Sequence, residues 1–360
     1  MTGFRGGSLL FWVYWLLLIG GGIALLAQLA STLSLTLPDV LVGMPVTLLT
    51  LVVYGGLLIY LDRLRARTTI RTPLVLGFLW GALAGPGIAI FANDDNMRAI
   101  QNLAGDAFAT NWAAPISASI VEEGIKGLGV FTVAWLARPL LTRAMHGLLL
   151  GGCTGLGFQV VEDITYNANA PLSSAQGGPG STIVTALLRF AVGVTSHWMF
   201  TALAGIGIVL ALARRDWSAG RRFAVFAACY LLGAAMHFAW DSPTPQGAEW
   251  FGMGGKMIIY IAVFLAVYLR VLRSERGWFL EQAKVVAAQG VAPIEELNTL
   301  VTRRSRRRAR TALIHQGGPP KRWITQRQRQ LTEVVQRSGG YGRSGQVPGQ
   351  LYGFGQQVGG

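Results

Sequence analysis

The sequence predicts an all-α fold, a polytopic bundle of about eight membrane-crossing helices with both termini in the cytoplasm. Three observations carry this. Of the 360 residues, 52% are hydrophobic and only 13% are charged, about half the charge of a typical soluble domain. The apolar residues gather into runs near the ~20 residues that cross a hydrocarbon core. Lys and Arg in the intervening loops and the tail divide 27 to 2 between the two sides, and basic loops stay cytoplasmic. This pattern excludes a disordered chain, a disulfide scaffold and an ordinary cytosolic enzyme.

The apolar runs lie near residues 8–31, 40–61, 73–92, 112–136, 144–166, 191–213, 223–240 and 253–272. The first follows Arg5 like a signal peptide, but its core is too long and lacks an A-x-A site, so it reads as a retained span. Residues 183–213 would make a helix of about 46 Å, longer than the ~30 Å core. Arg189 and Gly193 suggest its division into a short interfacial or re-entrant piece, 182–192, and a main span from 194. The Gly/Ser/Pro-rich stretch Asn167–Thr182 before it reads as a mobile outer loop. Cys153 and Cys229 sit inside apolar runs and read as packing residues.

The chain divides at about residue 272 into a transmembrane domain, 1–272, and a basic, partly disordered cytoplasmic tail, 273–360. The tail shows two weakly amphipathic stretches, Trp278–Ala288 and Ile294–Val301, then the Arg303–Arg310 cluster and a Gly/Gln-rich end. A polybasic segment beside a membrane attracts anionic lipid headgroups, which accounts for the net charge of +14 without nucleic acid.

Charged groups inside the hydrocarbon are costly and need a reason. Here they cluster: Glu122, Glu123 and Lys126 in the fourth run, Glu162 and Asp163 in the fifth, His197 in the sixth, His237 and Asp241 in the seventh. Glu122 and Lys126 share a helix face, as do His237 and Asp241, whereas Glu123 is offset by about 100°. The topology puts Glu122 roughly 15 Å and Glu162, His197 and His237 roughly 5–9 Å below the outer ends of their spans. All four therefore fall in the outer half of the membrane, where one water-filled cavity can hold them. Alone, each has a plainer reading: a packing histidine, a structural ion pair, a snorkelling arginine at Arg189. His146 and His315 are given that plainer reading. The glycines at 124, 127, 129, 151, 152, 155 and 157 read as packing faces.

Four motifs in order, Glu122-Glu123-x-x-Lys126, Phe158-x-x-x-Glu162, His197 with Thr201 and Gly205, and His237-x-x-x-Asp241, resemble the PrsW family of intramembrane proteases. More distantly they are similar to the group of CAAX prenyl endopeptidases and Abi proteins. That branch usually has Arg in the first motif and His in place of Glu162. The resemblance covers roughly Leu74 to Tyr268. It implies metal-dependent proteolysis of membrane-anchored proteins in the plasma (inner) membrane, an anti-sigma factor being the substrate in the family's namesake setting.

On that basis His197, His237 and Glu162 are expected to ligate a divalent metal, zinc by preference. Glu122 or Glu123 would be the general base, and Lys126 would pair with the other Glu or stabilise developing negative charge. Asp241 would orient His237. Metal-free glutamate/histidine catalysis, a proton-coupled transporter and a non-catalytic scaffold are the competing readings. The transporter is disfavoured by the lack of an inverted repeat.

Overall fold

The computed structural model describes residues 7–174 and 177–339. The described residues are helical, with no strand among them, and six helices are long and apolar enough to cross a membrane. The chain divides into two compact units. One comprises the residues up to Leu61 and Arg71–Leu269; the other comprises Asp62–Ile70 and the residues from Arg270 on.

In the first unit, α1 runs from Leu9 to Leu61, a continuous helix of 53 residues where two spans were expected. It cannot be straight. Tyr14 Oη donates to the Leu76 carbonyl at 2.8 Å, neighbouring Gly77 lies against Leu150, and Gly152 lies against Leu58. The side-chain reaches along those contacts put Tyr14 within roughly 35 Å of Leu58, whereas a straight helix would hold them about 66 Å apart. The helix therefore folds back between its arms. Polar residues (Ser31, Thr32, Ser34, Thr36, Asp39) and the interior prolines Pro38 and Pro45 mark the bend. Serine and threonine hydroxyls cap carbonyls within this stretch, as Thr36 does to Thr32 at 2.9 Å. Helix bonding thus persists where the sequence suggested a break.

α2 (Arg71–Leu79) and α3 (Gly85–Ala104) are joined through a π-turn at Trp80–Ala84. α4 (Asp106–Leu136) and α5 (Ala144–Ser173) follow. α4 is long enough to cross but is not among the six apolar candidates; Glu122, Glu123 and Lys126 lower its hydropathy. The expected outer loop Asn167–Thr182 is largely helical. α5 continues through Pro171 to Ser173, and α6 begins at Gly178. Buried Asn167 fixes this region, donating to Thr47 at 3.0 Å and accepting from Thr182 at 3.3 Å. The expected division near Gly193 is present: α6 (Gly178–Val192) ends in a single 3₁₀ turn, and α7 (His197–Ala213) starts afresh after Ser196. α8 (Ala219–Asp241) and α9 (Glu249–Ala288) complete the set, the unit boundary falling within α9.

The α5–α7 seam sets the site. Gly147, Gly151 and Gly155, spaced four apart, face Gly205, Thr201 and His197 in antiparallel register, and a Cβ at any of the three would overlap the facing carbonyl oxygen. Small residues permit this backbone approach. Two turns beyond Gly155, Glu162 is thereby delivered to the His197 ring.

In the second unit, the end of α9 packs with α10 (Ile294–Asn298), α11 (Arg303–His315) and α12 (Lys321–Ser338). Leu64, Phe279, Val286, Leu297 and Leu331 are buried together there. The arginine cluster is helical, started by a Thr302–Ser305 capping box. α12 was not anticipated. Of the Gly/Gln-rich end expected to be disordered, residues 340–360 lie outside the described residues.

Candidate active site

Four helices bring the predicted groups together. On α4, Glu122 and Glu123 flank Lys126, whose ammonium lies 2.7 Å from Glu123 and 3.6 Å from Glu122. It also contacts His197 Nδ1 at 2.8 Å and sits over the Phe158 ring. His197 opens α7, and Glu162 of α5 meets its Nε2 at 2.7 Å. His237, near the end of α8, meets Glu123 through Nδ1 at 2.9 Å. Its Nε2 lies 3.3 Å from Asp241 and 3.8 Å from Glu122. Phe200 stacks on His237, and the two imidazole centroids are 5.0 Å apart.

The two histidines are built alike. Each has one ring nitrogen held by a carboxylate, Glu162 for His197 and Glu123 for His237, while the other lies near Glu122 but nearer to Lys126 on His197 and to Asp241 on His237. Glu122 Oε2 lies 4.0 Å from His197 Nδ1 and 3.8 Å from His237 Nε2, and it is buried with no hydrogen-bond partner. Its second oxygen accepts from Asn93 at 3.1 Å, and Asn93 accepts in turn from Ser117 at 2.8 Å.

These residues fit a metal. One donor atom each from Glu122, His197 and His237 lies within 4.8 Å of the others. Donors around a tetrahedral zinc at ~2.0–2.1 Å stand about 3.3 Å apart, within small side-chain adjustments of what is seen. Carboxylates behind both imidazoles are the usual support for metal-bound histidine. Charge agrees: Glu122, Glu123, Glu162, Asp163 and Asp241 gather about two buried or half-buried cations, Lys126 and Arg189, and crowded acids in low-dielectric surroundings favour a further positive charge. In this structure the Lys126 ammonium supplies the positive charge nearest the donors.

A cavity of about 370 Å³ opens onto the cluster, lined by Glu122, Glu162, Arg189, His197, His237 and Asp241. Glu123 is not on its wall. It lies behind, 1% exposed, one oxygen shared by Lys126 and His237 and the other facing Thr201 at 3.4 Å. Glu162, expected among the ligands, stands on the far edge of the His197 ring from Glu122. Asp241 touches the same His237 nitrogen that faces Glu122, and Glu123 holds the opposite one.

Arg189, read from sequence as merely snorkelling, is ion-paired to Glu162 and, through Nε at 2.7 Å, to Asp163. Two adjacent intramembrane acids were the signal that a cation must join them. Asn93 and Ser117 carried no such signal. His146 caps the start of α5, accepting from the Thr142 amide at 3.1 Å, and His315 lies on α11; neither joins the cluster.

The profile of the PrsW family intramembrane metalloproteases matches residues 70–272, more than half of the chain and all of the clustered residues. No curated protein and no solved structure matched. Together with the apolar helices and the buried Glu/His/His group, this identifies the chain as a member of the PrsW family of intramembrane metalloproteases, a multi-pass membrane metallo-endopeptidase that acts on a protein substrate.

Proposed function

We propose that the enzyme hydrolyses a peptide bond of membrane-anchored proteins, at a site facing the extracytoplasmic half of the plasma membrane. Glu122, His197 and His237 hold the metal. The observation that carries this reading is the pair of carboxylate-backed imidazoles beside a buried Glu122 oxygen that accepts no hydrogen bond. A divalent metal held there, zinc by donor chemistry, would supply a Lewis acid for the scissile carbonyl and for an attacking water. The protein's own groups do the rest. Glu123 and Glu162 fix the two rings, and Arg189 holds Glu162 in place. Lys126 is placed to stabilise negative charge on the carbonyl oxygen. Glu162 and Asp241, on the cavity wall, are the carboxylates that can accept the proton of a water entering from it. The anti-sigma-factor-like substrate rests on family resemblance alone.

Glu123→Gln and Glu162→Gln test the supporting carboxylates. Loss of such a group typically costs about 10–100-fold in metal affinity or activity. Competition with a chelator should show weakened but not abolished binding in both; unchanged affinity would reduce these contacts to packing.

The topology we propose has eight passes: two from the arms of α1, one each from α2–α3, α4, α5, α6–α7, α8 and α9. Both termini are then cytoplasmic and the α5–α6 turn is outside, in accord with the basic loops. Membrane-impermeant thiol reagent applied outside should label a cysteine at Ser173 and spare one at Ser305. The opposite pattern would invert the protein and turn its site inward.

The segment after residue 272 carries no residue of the cluster, and we assign it to the membrane surface, its arginines meeting anionic headgroups. Truncation after Arg276 uncovers Leu64 but should leave cleavage in place. A folded truncation without cleavage would make that segment part of the catalytic unit.

A further inference from the structure

A second groove, of about 470 Å³, lies between α4, α7 and α8, away from the catalytic cavity. Its walls are apolar, with Phe131, Ile208, Leu212 and Phe226 among them. The Tyr230 ring closes one end over Gly127. About two turns earlier on α8, Arg222 stands at the other. Its Nε is buried without a hydrogen-bond partner. The acid of the adjacent loop is already engaged: Asp216 is bound by Arg214 at 2.6 and 2.8 Å. Arg214 and Arg221 both also lie against the Trp217 ring. Arg222 is thus a cation at the mouth of an apolar slot, with no described acid beside it.

We infer that this groove binds one anionic phospholipid, an acyl chain along the α4–α8 slot and the phosphate on Arg222. The half-buried Arg222 leaves its Nε without a hydrogen-bond partner, and phosphate oxygens match a guanidinium's fork of N–H donors. Among the lining residues Arg222 is the sole charge and stands at one end of otherwise apolar walls, the polarity of a lipid with one headgroup.

Native mass spectrometry of the full chain in mild detergent tests this, titrating phosphatidylglycerol against phosphatidylcholine of identical acyl composition. Wild type should retain one phosphatidylglycerol, bound about tenfold more tightly because the choline ammonium of phosphatidylcholine offsets the phosphate charge that both lipids carry. Arg222→Gln should erase the headgroup preference, and Ala211→Phe, which fills the slot with apolar bulk, should weaken both lipids. Both variants should melt and cleave as wild type does. Inorganic phosphate should displace neither lipid. Equal affinity for the two lipids, an undiminished preference in Arg222→Gln, or displacement by phosphate alone would overturn the assignment. So would a dimer that Ala211→Phe dissolves, which would give the groove to a second copy.

Discussion

Glu122→Gln should abolish cleavage and release the metal together, in a protein that remains folded. The substitution keeps the shape of the side chain and its bond to Asn93, but an amide is a poor replacement for the charged oxygen that faces both imidazoles. A Lewis acid contributes several kcal/mol to such a reaction, and about 1.4 kcal/mol is tenfold in rate, so the loss should be about 10³-fold or more. His197→Ala and His237→Ala should behave in the same way. Cleavage rate and metal content per chain, measured on the same preparations, check this. Cleavage lost with full metal retained would move Glu122 from ligand to proton acceptor, while undiminished cleavage would remove it from the site.

Gly155→Val should be nearly as damaging, by a different route. A Cβ there would meet the His197 carbonyl oxygen, a backbone atom that cannot swing aside. Overpacking of this kind typically costs about 1–3 kcal/mol, and the displacement falls on the residue whose ring must meet both Glu162 and Glu122. A lowered melting temperature, weak metal binding and lost cleavage are expected in one variant. Gly56→Ala, where an added Cβ finds nothing within 4 Å, should match wild type in all three. A normally stable, active Gly155→Val would separate the α5–α7 seam from catalysis.

Much of this was legible in the sequence because a membrane makes polarity informative. Each group of the cluster stood out as a charge in an apolar run, and the motif spacing named the helix faces. The break near Gly193 followed from the length of the apolar run, with Arg189 and Gly193 marking its place. What was missed depended on distance between helices. Spacing along one chain cannot say that Glu122 approaches a nitrogen of both histidines while Glu162 meets only His197. Nor can it say that Glu123 is at the back of the site and not on its wall. Arg189 looked expendable because its partners are about 27 residues away in sequence and adjacent only once α6 lies on α5. α1 misled in the other direction: the gap between the apolar runs 8–31 and 40–61 promised two separate helices, yet one helix continues through Pro38. The α12 helix was passed over because its apolar positions, Ile324, Leu331 and Val335, are few among arginines and glutamines.

The central claim is that Glu122, His197 and His237 form one metal site, and X-ray absorption at the edge of the metal found in the purified full chain tests it most directly. About one metal per chain is expected, with two imidazole nitrogens and carboxylate oxygen at roughly 2.0–2.2 Å, and loss of that signal in His197→Ala. A fully active, metal-free enzyme, or a metal whose environment is unchanged by His197→Ala, would contradict it.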